Sequence, residues 1–345
     1  MRVVVTGADG YIGRVLARRL GQLGHEVTGF DIGLFAGCSF EEQAATWRER
    51  RIDVRDVRAD DFGRIEAVCH LAALSNDPLG AIDPALTREI NYEGTLRVAR
   101  AAKEAGVRRF IFASSCSVYG RQPDGAAAHE GSPLAPLTEY ARSKIDAEHA
   151  LHSLADAHFS PVYLRQATAF GWSERFRFDL VLNNFVGWAL ATGQVRLLSD
   201  GSSWRPIAHV GDLAEAFACA IVADREAVHD RALNVGADSE NRRIRDLATV
   251  AAETVGAPVT TGAGATADPR SYRVSFAGIR ERMPAWSPRR SAADGAREMR
   301  DALVRSGFVA ADFEDERFTR LRRLVARRDH GELDAALRPV TSVAP

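Results

Sequence analysis

The stretch that decides the fold is residues 2–13, Arg-Val-Val-Val-Thr-Gly-Ala-Asp-Gly-Tyr-Ile-Gly, which an amphipathic helical pattern follows. The run of valines is typical of a buried parallel strand. Gly7, Gly10 and Gly13 have the spacing with which a strand–turn–helix unit holds a dinucleotide. The first permits a tight turn, the second lets the backbone approach a pyrophosphate, and the third lets the helix pack closely on the sheet. The phosphates would lie at the helix N-terminus, where free N–H groups and the helix dipole favour anions.

The composition is that of an ordinary globular protein. The chain has 345 residues, of which 46% are hydrophobic and 26% charged, enough for one large or two modest domains. A formal net charge of -1 gives no sign of a protein that binds nucleic acid or anionic membranes. The sequence has neither a signal-peptide pattern nor an apolar run near the ~18 residues of a membrane span. A cytoplasmic location is therefore expected.

The cysteines and the C-terminal arginines have ordinary interpretations. Cys38, Cys69, Cys116 and Cys219 form no CxxC pair and have no histidine at metal-ligand spacing. Reduced thiols and no bound metal are therefore expected. The arginine-rich segment 320–328 is interleaved with apolar residues, and we interpret it as the solvated face of a helix.

Strands and helices alternate through the first half of the chain. Buried strands are predicted over residues 25–31, 67–73 and 110–115, with a short strand that has a polar exit over 51–56 and a long helix over 84–105. This alternation predicts an α/β fold with a Rossmann doubly wound parallel sheet. Such sheets bind ligands beyond the carboxyl ends of their strands.

Asp31 ends the second predicted strand, about 20 residues after the glycines. A carboxylate at this place suits the hydroxyls of an adenosine ribose and repels a 2′-phosphate. The position therefore favours NAD over NADP. The alternative is an aspartate that merely starts a turn.

Tyr140 and Lys144 are four residues apart and share one face of a predicted helix. An ammonium beside a phenol favours the phenolate, which makes the pair a proton acceptor near neutral pH. Ser115, at the end of the preceding strand, could donate a hydrogen bond to the same substrate oxygen. This spacing alone is common on helix surfaces, so its weight depends on the other motifs.

Taken in order, these motifs resemble the extended short-chain dehydrogenase/reductase family, specifically its nucleotide-sugar epimerases and dehydratases. The matching stretches also include His-Leu-Ala-Ala at 70–73 and Ser-Ser-Cys-Ser-Val-Tyr-Gly at 114–120, and the resemblance covers nearly the whole chain. It implies a catalytic triad of Ser115, Tyr140 and Lys144. The NAD-binding residues that the glycine pattern and the resemblance predict are Gly7, Gly10, Tyr11, Ile12, Gly13, Asp31, Asp53, Val54, Leu71, Ala72, Ala73, Asn91, Tyr140 and Lys144.

The second half resembles the family's substrate domain, which closes over a nucleotide-diphosphate sugar. This resemblance implies that Asn184 and Arg205 contact the substrate. The alternatives are that Asn184 caps a helix and that Arg205 is a surface charge. A C6 carboxylate on the sugar could pair with Arg177 or Arg175, because both stand beside the expected pocket. The predicted substrate-binding residues are Ser75, Ser115, Cys116, Ser117, Thr168, Arg177, Asn184, Arg205 and Arg270.

Two positions bear on the choice of reaction. The 4,6-dehydratases that the chain resembles carry Asp-Glu where this chain has Cys116 and Ser117. Neither residue can shuttle protons as a carboxylate pair does, so dehydration is disfavoured. The simplest remaining reaction is NAD-dependent inversion at C4 through a transient 4-keto sugar. The alternatives are a ketoreductase or dehydrogenase, a dehydratase of the same family, and a non-catalytic NAD-binding sensor. Two roles remain open for Cys116, that of a catalytic acid and that of a small apolar residue that fills space beside the pocket.

The expected organisation has two parts. Residues 1–170 would form the NAD-binding Rossmann domain, to which residues 205–235 would return. Residues 171–345 would form a smaller, mixed α/β C-terminal substrate domain. The resemblance also implies a homodimer through a helix bundle that contains the Tyr140 helix.

Overall fold

The architecture is an open parallel sheet with a smaller mixed region beyond it. A computed structural model describes residues 1–75, 83–121, 126–262 and 271–340. Its strands are β1 (Arg2–Thr6), β2 (Glu26–Asp31), β3 (Arg48–Arg51), β4 (Ala67–His70), β5 (Arg109–Ser115), β6 (Ala127–Ala128), β7 (Ser160–Gln166), β8 (Thr168–Phe170), β9 (Val195–Leu197), β10 (Trp204–His209), β11 (Arg231–Val235), β12 (Asn241–Arg243), β13 (Val259–Thr261) and β14 (Arg273–Val274).

The described helices lie on both faces of this sheet and in the second half. They are α1 (Tyr11–Gln22), α2 (Pro84–Arg88), α3 (Gly94–Glu104), α4 (Glu139–His152), α5 (Val181–Thr192), α6 (Val210–Val222), α7 (Arg225–Val228), α8 (Ile244–Val255), α9 (Ala277–Arg282), α10 (Ala292–Arg305), α11 (Ala310–Glu314) and α12 (Arg320–Asp329).

The large sheet has seven strands in the described chain, in the order β3-β2-β1-β4-β5-β7-β11. Every neighbouring pair is parallel, which confirms the predicted doubly wound sheet. Successive valine side chains of β1 point to opposite faces of the sheet, as the two-residue period of a strand requires. Val3 and Val5 pack in the cluster that contains residues of α1 and α6, whereas Val4 packs in the cluster with α3 and α4.

The predicted long helix over residues 84–105 is interrupted. A π-helical turn, Glu89–Glu93, separates α2 from α3. The fully buried Asn91 lies in this turn, and its side chain bonds to both backbone polar groups of Leu74. Single π-helical turns inside α-helices occur frequently at functional sites.

The second half adds a three-stranded sheet, β12-β10-β8, and a separate core built largely from α5, α8 and α10. β11 joins the large sheet and α6 packs against α1, whereas β10 belongs to the smaller sheet. The large sheet thus receives part of the predicted 205–235 return, and residues 204–209 lie outside it.

The C-terminal helix α12 does not present a fully solvated arginine face, so that interpretation was wrong for its first residue. Arg320 is 2% exposed, and its guanidinium lies 4.3 Å from the centre of the Phe35 ring. Burial lowers the pKa of Arg320 to about 10. Arg327 donates to the backbone oxygens of Gly33 and Leu34. The helix is therefore held against the loop that follows β2.

No helix in the described ranges is long and apolar enough to cross a membrane. Within the same ranges, no three or more His, Cys, Asp or Glu side chains gather as they would around a metal ion.

Candidate active site

A cavity of about 810 Å³ runs from the carboxyl ends of the sheet strands into the second half. Its position agrees with the rule that such sheets bind ligands beyond their carboxyl edge. The predicted residues that line it are Gly7, Gly10, Tyr11, Ile12, Gly13, Asp31, Asp53, Val54, Leu71, Ala72, Ala73, Ser75, Ser115, Ser117, Tyr140, Lys144, Thr168, Arg177, Asn184 and Arg205.

The glycine turn has the shape that a pyrophosphate requires. Gly7 has a φ of +68°, and a Cβ on Gly13 would overlap the carbonyl oxygen of Gly7. Helix α1 starts at Tyr11, and Gly10 at its N-cap provides no side-chain hydrogen bond to the first turn. The N–H groups at this end therefore remain available to an anion, which the helix dipole also favours.

Tyr11 ties this turn to the second half. Its hydroxyl donates a 2.6 Å hydrogen bond to the carbonyl oxygen of Gly171 and accepts one from Asn183. Burial raises the pKa of the Tyr11 phenol well above its usual range. The side chain is therefore a neutral link between the halves, and proton transfer from it is disfavoured.

Asp31 is fixed at the end of β2. One carboxylate oxygen accepts from the N–H of Asp9 and the other from the N–H of Gly33. Burial raises the pKa of this carboxyl, although the two N–H donors oppose that effect. Because each carboxylate oxygen has a further lone pair, Asp31 can still accept from ribose hydroxyls.

Asp53, one of the predicted NAD-binding residues, is held by two arginines. Arg55 binds its carboxylate, with Nη2 at 2.6 Å, and Arg338 approaches to 3.4 Å. The neighbouring Val54 and Ile52 supply apolar surface to the cavity instead. Here the arginines take up much of the acceptor capacity of Asp53, a feature that the sequence did not predict.

The Tyr140–Lys144 pair lies on the first turns of α4, which Thr138 caps. Lys144 Nζ donates a 2.8 Å hydrogen bond to the Ala113 carbonyl oxygen and lies 5.6 Å from the centre of the Tyr140 ring. Burial lowers the pKa of Lys144 to about 7, while Glu148 acts to raise it. The lysine can therefore change its charge near neutral pH.

Ser115 is oriented by the short 3-10 turn that follows β5. Its hydroxyl oxygen accepts from the backbone N–H of Ser117 at 3.1 Å and from the Ser117 hydroxyl at 2.9 Å. With both lone pairs occupied, the Ser115 proton is directed elsewhere, which suits a donor to a substrate oxygen.

A buried ion pair supports the strand and helix that carry these groups. Glu148, one helical turn beyond Lys144, receives a 2.6 Å contact from Arg165 Nη2 and a hydrogen bond from Ser114. Both charged side chains are almost fully buried. The pair fixes α4 against β5 and β7, and so fixes the distance between the catalytic side chains.

Asn91 does not line the cavity. It joins the loop after β4 to the catalytic helix, because its amide bonds to the backbone of Leu74 and donates to the hydroxyl of Ser143. Ser143 in turn donates to the carbonyl oxygen of Tyr140. Asn91 therefore positions the loop and the helix in this structure, and its predicted contact with the cofactor stays a prediction.

Cys116 also lies outside the cavity lining, and its predicted contact with the substrate stays a prediction. Its thiol is fully buried and donates to the Arg165 carbonyl oxygen at 3.1 Å. Burial raises the pKa of the thiol strongly. The side chain packs in the buried cluster that contains residues of α1 and α6.

The two candidate arginines for an acidic sugar differ. Arg175 is bound to the Asp9 carboxylate at 2.8 Å and lies away from the main cavity. Arg177 lines the cavity, but Nε and Nη2 each contact Asp179 at 2.9 Å and Nη1 donates to Ser75. Because Asp179 neutralises its charge, Arg177 is a poor partner for a further carboxylate.

The far end of the cavity contains the remaining predicted substrate residues. Asn184 donates to the carbonyl oxygen of Phe178, Arg205 lies 5.7 Å from the centre of the Tyr272 ring, and Thr168 lines the wall. Arg270 falls outside the described residues. Cavity residues that sequence reasoning missed include Phe35, Gln166, Phe185, Trp188, Arg196, Tyr272, Arg320 and Leu337.

For some of these missed residues the sequence contained a signal of a cavity position, and for others it contained none. Gln166 ends a buried parallel strand, the position where ligand contacts are expected. Phe185 and Trp188 share α5 with Asn184. Leu337 gives no local signal, because its position depends on how the chain returns to the sheet.

The sheet end of the cavity fits NAD. The glycine turn leaves room for a pyrophosphate, Asp31 offers acceptors to a ribose, and an apolar slot beside it suits an adenine ring. Tyr140 and Lys144 stand at the opposite end of the same wall, where the nicotinamide would lie.

Comparison with known proteins gives consistent results. A model of the NAD dependent epimerase/dehydratase family matches residues 3–236. The UDP-glucose 4-epimerase of Mycolicibacterium smegmatis is 32% identical over 274 residues, 75% of this chain and 84% of that protein. The Thermus thermophilus UDP-glucose 4-epimerase complex with NAD superposes with a TM-score of 0.74 at 27% identity, covering 87% of this chain and 98% of that one. MoeE5 in complex with UDP-glucose and NAD gives a TM-score of 0.77 at 27% identity over 89% and 99%.

Proposed function

The chain belongs to the NAD-dependent epimerase/dehydratase family, and on that premise we propose that it inverts C4 of a nucleotide-diphosphate hexose. It is an NAD-dependent nucleotide-sugar epimerase. The observation that carries the C4 assignment is the set of Ser115, Tyr140 and Lys144 at one end of a cavity that continues to Asn184 and Arg205.

The residues divide the chemistry between them. NAD, when bound, supplies the hydride acceptor and donor. The Tyr140 phenolate takes the proton of the C4 hydroxyl, while Ser115 donates a hydrogen bond to the same oxygen. Lys144 in its charged form stabilises the phenolate. After the 4-keto sugar has turned in the cavity, Tyr140 returns the proton and the C4 configuration is inverted without net oxidation.

The nucleotide is held while the sugar turns. Asn184 and Arg205 line the cavity away from the triad, and a guanidinium suits a diphosphate or ribose partner. We extend the same role to Thr168 and, outside the described residues, to Arg270. These contacts would keep the diphosphate in place during rotation of the hexose.

Dehydration is a weaker alternative. A 4,6-elimination needs an acid and a base beside the keto sugar. At the two positions where the dehydratases carry these groups, this chain has Cys116 and Ser117. The Cys116 thiol donates to a backbone oxygen, and the Ser117 hydroxyl donates to Ser115. Neither group replaces a carboxylate pair.

We propose a neutral hexose as substrate, because the Asp179 carboxylate already pairs with Arg177. UDP-glucose is the first compound to test, since the relatives named above act on it or bind it. We also propose a division near residue 170, a homodimer through a bundle that includes α4, and a cytoplasmic location.

The test is incubation of the purified protein with UDP-glucose or UDP-galactose, followed by nuclear magnetic resonance of the products and absorbance of the nicotinamide. Formation of the C4 epimer without lasting NADH supports the proposal. A steady rise in NADH would identify a dehydrogenase, and loss of water from the sugar would identify a dehydratase. Binding of NAD and of both sugars without any conversion would indicate a sensor.

A further inference from the structure

A C-terminal hairpin, residues 332–340, returns to the edge of the large sheet. The N–H of Val340 donates to the oxygen of Glu332, and the N–H of Asp334 donates to the oxygen of Arg338. Leu337 closes the tip through a 3.0 Å bond to the Asp334 oxygen. The segment is thus an ordered hairpin, and it lies beyond the residues 3–236 that the family model matches.

Leu337 has a conformation that a branched residue rarely adopts. Its φ is +56°, in the left-handed region that favours glycine. Its side chain is nevertheless 3% exposed and lines the main cavity. An unfavourable backbone conformation persists only where the surroundings hold it in place, and such residues concentrate at ligand sites.

Two arginines fasten this part of the chain. Arg338 binds the carboxylate of Asp56, with Nη2 at 3.1 Å, and approaches Asp53. Arg327, which precedes the hairpin, donates to the backbone oxygens of Gly33 and Leu34 at 3.0 Å and 2.8 Å. The hairpin is therefore anchored on both sides of the cavity end at which β2 and β3 finish.

The slot under the hairpin is apolar. Leu337 belongs to the same buried cluster as Val54, and Leu34, Phe35 and Ile52 pack against that cluster. All five side chains also line the cavity, next to Asp31. An adenosine whose ribose is bound by Asp31 would place its flat, largely apolar ring in this slot.

We propose that Leu337 is a further cofactor-binding residue, which covers the adenine of NAD, and that the hairpin retains the cofactor between turnovers. The contact buries apolar surface of both the leucine and the ring, and this burial favours the bound state. Retention suits an enzyme that takes up and returns the hydride without exchanging its cofactor. The inference rests on NAD as cofactor and does not depend on which carbon of the sugar is inverted.

The test compares Leu337→Ala with Leu333→Ala in the holoenzyme. Leu333 is a matched control, because it lies in the same hairpin at 3% exposure and does not line the cavity. One readout is the rate of NAD release after dilution into an excess of an NAD-consuming dehydrogenase. The other is the affinity of the NAD-depleted protein for adenosine monophosphate and for nicotinamide mononucleotide.

We expect Leu337→Ala to release NAD about tenfold faster than the wild type. Its affinity for adenosine monophosphate should fall by a similar factor, because most of the contact of a buried leucine is removed. Nicotinamide mononucleotide should bind as in the wild type, and Leu333→Ala should change the release rate far less. Equal effects of both variants, or unchanged binding of adenosine monophosphate, would overturn the proposal.

A second variant guards against failure to fold. Leu337→Gly removes the side chain but relieves the positive φ. It should retain the wild-type thermal midpoint better than Leu337→Ala and should lose the same affinity for adenosine monophosphate. Wild-type affinity in a folded Leu337→Gly protein would show that the side chain does not contact the adenosine.

Discussion

Lys144 Nζ lies 5.6 Å from the centre of the Tyr140 ring and donates to the Ala113 carbonyl oxygen at 2.8 Å. The one-turn spacing on α4 brings the lysine to the tyrosine, and the carbonyl at the end of β5 fixes the ammonium. The helix meets β5 through Ser114, which donates to Glu148, and meets β7 through the ion pair of Glu148 with Arg165. The proton-transfer pair is therefore held by the fold before any ligand is bound.

Tyr140→Phe removes the proposed proton acceptor. We expect kcat to fall by about 10²–10⁴-fold, the range for loss of a general base, with NAD affinity changed little. Steady-state kinetics and NAD titration check this. Tyr92→Phe is the matched control, since Tyr92 lies outside the cavity and its ring contact with Arg88 does not need the hydroxyl. Wild-type turnover by Tyr140→Phe would exclude the assigned base.

Lys144→Met should change how stability depends on pH. Burial lowers the folded-state pKa of Lys144 to about 7, below the unfolded value of about 10.4. Between these values the unfolded chain binds more protons, so rising pH stabilises the wild-type fold. Relative to the variant, the NAD-free wild type should gain up to about 1 kcal/mol per pH unit from pH ~7 to ~10. Urea unfolding at several pH values measures this difference, and parallel curves would contradict it.

Gly13→Ala and Gly21→Ala form a matched pair on α1. A Cβ at Gly13 would overlap the Gly7 carbonyl oxygen, whereas a Cβ at Gly21 meets nothing within 4 Å. Gly13→Ala should destabilise the fold by about 1–3 kcal/mol and weaken the binding of NAD. The second should stabilise it by about 0.5 kcal/mol, since alanine is the better helix former. Thermal unfolding and NAD titration measure both effects. An equally well tolerated Gly13→Ala would contradict the close packing of the turn.

Asp179→Asn should shift preference toward an acidic sugar. The change leaves the Arg177 cation without the carboxylate that contacts it twice at 2.9 Å, and the loss of a buried pair costs about 3–5 kcal/mol. We expect the ratio of kcat/KM for UDP-glucuronate to that for UDP-glucose to rise about tenfold. This is the change in affinity that one additional charge-assisted contact provides. Adding Arg177→Ala should remove the gain. An unchanged ratio in the folded variant would show that Arg177 does not face the C6 position.

The sequence predicted those parts of the molecule that depend on local pattern. Alternating buried strands and helices identified the parallel sheet, and glycine spacing identified the turn that begins α1. Tyr140 and Lys144 could be paired because their distance along a helix determines which face they share. All these features are encoded within short stretches of chain.

The features that sequence reasoning missed depend on contacts between distant segments. Phe40 stacks on Phe318 at 4.1 Å between ring centres, although the two residues lie near opposite ends of the chain. Leu337 reaches the cavity in a hairpin that Arg338 anchors to Asp56 in the first part of the chain. Cys116 is buried at the start of a 3-10 turn that no pattern indicated. Periodicity reports which face is buried but not what covers it.

The most direct test of C4 inversion uses UDP-glucose with deuterium at C4 of the hexose, in ordinary water. If the hydride leaves C4 and returns to C4 within one active site, the UDP-galactose product carries the deuterium at C4, and Tyr140→Phe forms this product about 10²–10⁴-fold more slowly. A product that has lost the label, or deuterium recovered in released nicotinamide, would contradict the account.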